Sequence, residues 1–473
     1  MEKDAEPKIR RLGSRAATVK SSNGDEFPNA LADTEQSSLI LEDLAAHRSR
    51  EQAAQGSRPV GLRRLFGAGL ITGAADDDPS GIITYSQAGA QFGYQLSWTM
   101  LVTLPLLAAI QQIAARIGRT TGRGLVANLH NRSPKALIVG IVLLLAIANV
   151  INLGADLGAM GEVAAMLLGG RSHLYVIAFG AFCALAQIFV PYAGYVRFLR
   201  WLTLSLLAYV ATTLAVAVPW REVLIRTVLP RITASPDYLL AIVAIFGTTI
   251  GPYLIFWQAA EEVEDLTLSG GVPLLVDSSP ARSELRRIGL DTWLGIGFSN
   301  TVGLFIIIAT AATLHAAGIG TITSARQAAE ALRPIAGAFA AGAFAAGIIG
   351  TGLLAVPVLA GSAAYAFGEA VGRPVGLGRK PSEARTFYVI IGLATLIGTA
   401  LHFTPLDPIR ALFWSAVING ILVIPILVVL LRLAHDETVM GRFYVKGPLL
   451  WLGWGTVAAM TAAAIATAAL WLV

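Results

Sequence analysis

Gly73-Ala74-Ala75-Asp76-Asp77-Asp78-Pro79-Ser80-Gly81 sets three carboxylates and a proline inside an apolar stretch. About half the chain later, Gly247-Thr248-Thr249-Ile250-Gly251-Pro252 interrupts a second apolar stretch. Proline lacks an amide hydrogen, and serine and glycine are weak helix formers. The first stretch is therefore expected to end a helix near Asp78 and restart it near Ile82, and the second to break a helix at Gly247, Gly251 and Pro252. An unwound turn at mid-bilayer exposes carbonyls and half-helix ends, and matched breaks in two halves of a chain point to the substrate site of a carrier. A carboxylate in hydrocarbon is costly and defaults to a functional hypothesis.

The surrounding composition is that of a membrane protein. Of 473 residues, 55% are hydrophobic and 14% charged, against roughly 25% charged in soluble domains. Mean hydropathy is +0.65. Apolar runs reach the ~18–20 residues a helix needs to cross the bilayer, and the short alternating segments of a barrel are absent. The pI of 9.4 reflects basic loops between spans, so no nucleic-acid partner is inferred. The single cysteine, Cys183, rules out a disulfide framework and any multi-cysteine metal site. Residues 1–57 are polar and read as a disordered cytoplasmic tail, with one short amphipathic patch at Leu39–Ala46 and no signal peptide.

Eleven spans are expected, at 65–92, 95–117, 135–165, 172–192, 199–219, 238–260, 288–315, 334–368, 385–403, 409–433 and 448–472. Of the 35 Lys and Arg residues, 11 precede span 1, 17 fall in one set of alternating loops and 7 in the other. The internal set includes Arg116, Arg119, Arg197, Arg200 and Arg287, and the bias puts the N-terminus in the cytoplasm and the C-terminus outside. Residues 58–235 (spans 1–5) and 236–437 (spans 6–10) then form two halves with an odd number of spans each, so the second is inverted. Each half opens with a broken helix. Residues 438–473 add span 11. The fold class is all-α integral membrane, similar to the five-plus-five inverted repeat of leucine-transporter-like folds. The Gly/Ala-rich run Ala340–Gly347 in span 8 is read as close helix packing.

Free carbonyls near Ala74, Ala75 and Asp78, beside a carboxylate, suit a hard cation. Asp78 is expected to coordinate it, the alternative being a cap on the second half-helix. Asp76 and Asp77 point to other faces, and one of them, Asp77 for instance, lines the same cavity or makes an interhelical contact. Thr248, Thr249 and Tyr253 offer hydroxyls at the second break. Asn149, Asn152 and Asp156 share one face of span 3, marking an ion or proton path or interhelical bonding. Asn300 and Asn419 are further amides that reach the cavity or pack. Glu261, Glu262, Glu264 and Asp265 end span 6 as a cation-attracting exit or a solvated helix end. The six histidines lie in the tail or near span ends, and no metalloprotease, nucleophile-elbow or phosphate-loop motif is present, which argues against an enzyme.

These residues resemble the NRAMP family of divalent-metal transporters. The likeness spans most of residues 60–440: Gly73–Pro79, Gly122-Arg123-Gly124-Leu125, Ala155-Asp156-Leu157, Gly247–Pro252 and Asn419-Gly420. The family's Asp-Pro-Gly-Asn is here Asp78-Pro79-Ser80-Gly81, so the aspartate ligand carries over and the asparagine does not. Its Met-Pro-His is here Gly251-Pro252-Tyr253, lacking the thioether and the histidine linked to proton coupling. The departures are similar to the magnesium-carrying branch. Losing a thioether removes selection for softer metals, and glycines at positions 81 and 251 leave room for a partly hydrated ion. The resemblance implies an inner-membrane carrier, monomeric and without cofactor, moving Mg²⁺ first and Mn²⁺ second with weak or no proton coupling. Asp78 is its metal ligand, and Ala75, Gly81, Thr248, Gly251, Tyr253 and Asn419 line the site. A carrier of a small organic solute and a non-transporting receptor are the alternatives.

Overall fold

The computed structural model describes residues 73, 75–130, 132–190, 207–233, 235–337, 340–405 and 407–471, which form helices and turns with no strand among them. The expected tail with its Leu39–Ala46 patch, the opening of span 1, Ala74, Arg197, Arg200 and the first part of span 5 lie outside the described residues.

Eight helical stretches among the described residues are long and apolar enough to cross a membrane. They are Trp98–Thr121, Lys135–Leu168, Ser172–Phe189, Pro236–Ser269, Ala281–His315, Ala340–Ala370, Pro408–His435 and Pro448–Leu470. Span 9 is the shorter Arg385–Leu401, and the described parts of spans 1 and 5 are Pro79–Phe92 and Leu207–Ala215. Span 3 packs along spans 4, 8, 9 and 10. Span 7 packs on both span 1 and span 2, with the second half of span 6 against span 2 and its first half along spans 10 and 11.

Both breaks are present, shorter than expected. Gly73, Ala75 and Asp76 are helical, Asp77 and Asp78 are not, and the second half-helix starts at Pro79 rather than near Ile82. Proline suits a first helical turn, where an amide would have no partner, and Asp78 caps that turn in an extended conformation (φ −68°, ψ 170°). In span 6 the halves are Pro236–Thr249 and Pro252–Ser269, so only Ile250 and Gly251 leave the helix. Gly247 is not a breaker. A Cβ there would lie 2.0 Å from the Ala416 carbonyl of span 10, and one at Gly420 would lie 2.6 Å from the Val243 carbonyl. These two glycines let spans 6 and 10 touch backbone to backbone. In span 8 the small residues likewise admit neighbours, with Gly352 against Met160 and Gly361 against Trp257. Span 8 begins at Ala340, after the short helices Ala325–Glu330 and Arg333–Ala336.

The acidic end of span 6 is tied into the protein rather than simply solvated. Glu262, 1% exposed, lies 2.6 Å from Arg287 of span 7 and 3.9 Å from Arg119 of span 2. Arg119 also pairs with Asp265 and Glu284, each at 2.7 Å. Glu264 accepts from the Tyr365 hydroxyl of span 8 and from the Leu377 amide, each at 2.6 Å. Basic loop positions thus meet acidic ones on a single face of the bundle.

Candidate functional site

The Asp78 carboxylate divides its work between its two oxygens. Oδ1 accepts from the Gly81 amide and the Ser80 hydroxyl, both at 2.7 Å, which is the capping role. Oδ2 turns across the break. It accepts from Asn152 Nδ2 of span 3 at 2.8 Å, and the Tyr253 hydroxyl of span 6 lies at 3.2 Å. That hydroxyl is equally close, 3.1 Å, to the Ala75 carbonyl, and its one proton serves either acceptor. The Ser80 proton goes to Asp78, so Thr248, 3.0 Å from Ser80, donates to it and joins the two broken helices. All of these side chains are buried, with Asp78 at 1% exposure.

Behind Asn152 stands Ser415 of span 10, whose hydroxyl lies 2.8 Å from Asn152 Oδ1 and 2.7 Å from the Leu412 carbonyl, its one proton serving either acceptor. This fits the amide group facing Asp78, because the opposite orientation would set a carbonyl oxygen against a carboxylate. One turn along, Asp156 is fully buried. It sits within electrostatic reach of Asp78 and of the Ser80 amide, and neither of its oxygens completes a hydrogen bond. Both carboxylates therefore converge on the positive end of the half-helix Pro79–Phe92.

Other candidates are directed elsewhere. Asp76 and Asp77 both turn to the Ser299 hydroxyl of span 7, at 2.6 and 3.2 Å, and its one proton serves the nearer Asp76 or Asp77. Asn149 donates to the Leu359 carbonyl and the Ser362 hydroxyl of span 8, and Asn300 to the Met100 carbonyl of span 2. Asn419 is buried one turn from Ser415, its Oδ1 without a partner, and no hydrogen bond joins it to Asp78. A Cβ at Gly81 would lie 3.5 Å from both Asp78 Oδ1 and Thr248 Oγ1, so that glycine borders the site. Gly251 does not leave a void: a Cβ there would lie 2.7 Å from the Tyr253 ring, which occupies the space. Ser415 carries no sequence signal, since a lone serine in an apolar span is common.

Around Asp78 the chemistry is that of oxygen donors: two carboxylates, three hydroxyls, and the carbonyls that end the first half of span 6 without intrahelical partners. Among the described residues, no three His, Cys, Asp or Glu side chains cluster to hold a metal. His315 and His435 bond backbone carbonyls at helix ends, and His173 packs against His402.

Comparison with known proteins places these features. The family model described as natural resistance-associated macrophage protein-like (Nramp) matches residues 69–470. A divalent metal cation transporter MntH from Acidiphilium cryptum is 26% identical over 80% of this chain and 84% of its own. Another MntH, from Burkholderia ambifaria, is 25% identical over 91% and 94%. Among solved structures, the Eremococcus coleocola manganese transporter superposes with a TM-score of 0.67 at 18% identity, covering 86% of this chain and 87% of that one. The nucleobase-cation-symport-1 family transporter Mhp1 gives 0.51 at 15% identity, covering 86% and 90%. At these identities the structural matches speak for the fold alone, a likeness over most of the helical bundle.

Proposed function

The chain belongs to the Nramp family, and on that footing we propose that it is a secondary transporter, not an enzyme, that moves a hard divalent cation by alternating access. Mg²⁺ is the favoured substrate and Mn²⁺ the second. The observation that carries this reading is the Asp78 carboxylate held in the break of span 1, with one oxygen capping the helix and the other turned across the gap toward Asn152 and Tyr253. Asp78 neutralises the ion, Asp156 adds charge from span 3, and Thr248, Tyr253 and backbone carbonyls complete the shell directly or through water. The relatives named for divalent metals or manganese support the ion class. Glycine and tyrosine at positions 251 and 253, in place of a thioether and an imidazole, support a hard ion and weak or absent proton coupling.

Spans 1, 2, 6 and 7 move as one body against spans 3, 4, 8 and 9, within two inverted halves at residues 58–235 and 236–437. The chain works as a monomer in the cytoplasmic membrane, with its N-terminus inside and its C-terminus outside.

A second reading has its own observation. Asp78 Oδ2 is already approached by two donors, Asn152 and Tyr253, an arrangement that also suits a small solute carrying a hydrogen-bond donor. Calorimetric titration of Mg²⁺ and Mn²⁺ against wild type and Asp78→Ala decides between them. Heat of binding that disappears in the variant is expected. No binding of either ion to wild type would leave the solute reading standing.

A further inference from the structure

We propose that the helix Trp220–Val228, between spans 5 and 6, forms a binding site for the headgroup of an anionic phospholipid, in the leaflet at the face opposite the Arg119–Glu262 ion pairs. The helix is anchored by Val223, which is 3% exposed, and packs on the turn Gly93–Leu96 and the start of span 2. A cavity of about 610 Å³ opens beside it, lined by Arg221, Glu222, Ile225, Arg226, Leu229 and Arg231. Glu222 pairs with Arg226 at 3.7 Å. Among the described residues no carboxylate pairs with Arg221 or Arg231, so the cavity keeps a positive excess. The backbone beside Arg231 is fixed by the Tyr238 hydroxyl, 3.2 Å from its carbonyl, and Trp98 donates to that same hydroxyl at 3.2 Å.

The apolar side chains settle which anion fits. Leu224, Val228, Leu229 and Ile232 are 63–67% exposed, and Trp220 is 42% exposed. A soluble anion would account for the arginines but leave this surface facing water. A zwitterionic leaflet would cover the surface but need no cluster of arginines. A lipid with a net negative headgroup satisfies both: arginines hold the phosphate oxygens, and the leucine and valine side chains lie along the acyl chains.

Native mass spectrometry of the delipidated full chain, with phosphatidylglycerol and phosphatidylcholine added in turn, tests the site. Wild type is expected to prefer the anionic lipid at least tenfold. Each arginine near a lipid surface contributes on the order of fivefold, so Arg221→Gln/Arg231→Gln should remove that preference and leave phosphatidylcholine binding unchanged. Arg221→Lys/Arg231→Lys should keep most of it, which separates lost charge from lost fold. Leu224→Ser/Val228→Ser should weaken both lipids. An undiminished preference in the glutamine variant, no preference in wild type, or displacement of the lipid by equimolar inorganic phosphate would each overturn the proposal.

Discussion

Asn152 Nδ2 stands 2.8 Å from Asp78 Oδ2, a single hydrogen bond that joins the long span 3 to the break in span 1. The same amide is backed by Ser415 from span 10. Three spans therefore report on one carboxylate, and any ion that takes Asp78 must displace the Asn152 donor or share the oxygen with it.

Asp78 both caps a helix and carries charge, and two substitutions separate these roles. Asparagine is a good N-cap, whereas alanine typically loses about 1 kcal/mol. Asp78→Asn should keep thermal stability near that of wild type and reduce cation uptake by roughly a hundredfold or more, the scale of about 3 kcal/mol of lost interaction with a buried charge. Asp78→Ala should lose both stability and uptake. Melting temperature and initial uptake rates, measured together, check the pair.

Ser415→Ala loosens the Asn152 donor that the ion must displace and should lower the half-saturating cation concentration about fivefold, a neutral hydrogen bond being worth about 1 kcal/mol. Ser415→Thr should restore it. An unchanged value in the alanine variant would show that Asn152 needs no support from span 10.

The Tyr253 ring stands where a side chain at residue 251 would go. Gly251→Met alone should therefore destabilise the protein, at about 1–3 kcal/mol for overpacking. Gly251→Met combined with Tyr253→His removes the clash and adds thioether and imidazole donors. The double variant should bind Cd²⁺ more tightly than either single variant by more than the sum of their effects. Calorimetry with Cd²⁺ reads this directly.

Glu262 and Asp265 both pair with Arg119, one buried and one with a side chain 56% exposed. Arg119 keeps Asp265 and Glu284, and Arg287 keeps Glu284 at 3.0 Å, so Glu262→Gln loses one buried charged hydrogen bond and should cost about 1.5–3 kcal/mol. Asp265→Asn should cost under about 1 kcal/mol. Thermal denaturation in detergent ranks the two variants.

The breaks were legible in the sequence because proline and glycine act on the backbone within one turn of themselves. Helical periodicity also placed Asn152 and Asp156 on one face. What escaped was set by partners distant in sequence. Gly247 looks like a breaker and is a packing residue, because Ala416 and Gly420 come from span 10. Gly251 looks like open space until the Tyr253 ring is seen folded back over it. Glu262 looks solvated until Arg287 and Arg119 arrive from two other spans. The sequence leaves cation coordination and helix capping as alternatives for Asp78, and the structure shows the cap on Oδ1 with Oδ2 turned across the break.

The most direct measurement is uptake by the purified chain in proteoliposomes, with internal Mg²⁺ and internal pH recorded together for wild type and Asp78→Asn. Mg²⁺ entry that needs Asp78 and proceeds with little internal acidification is expected. Uptake that survives loss of the Asp78 charge, or acidification that tracks every ion entering, would contradict a hard-cation site built on that one carboxylate.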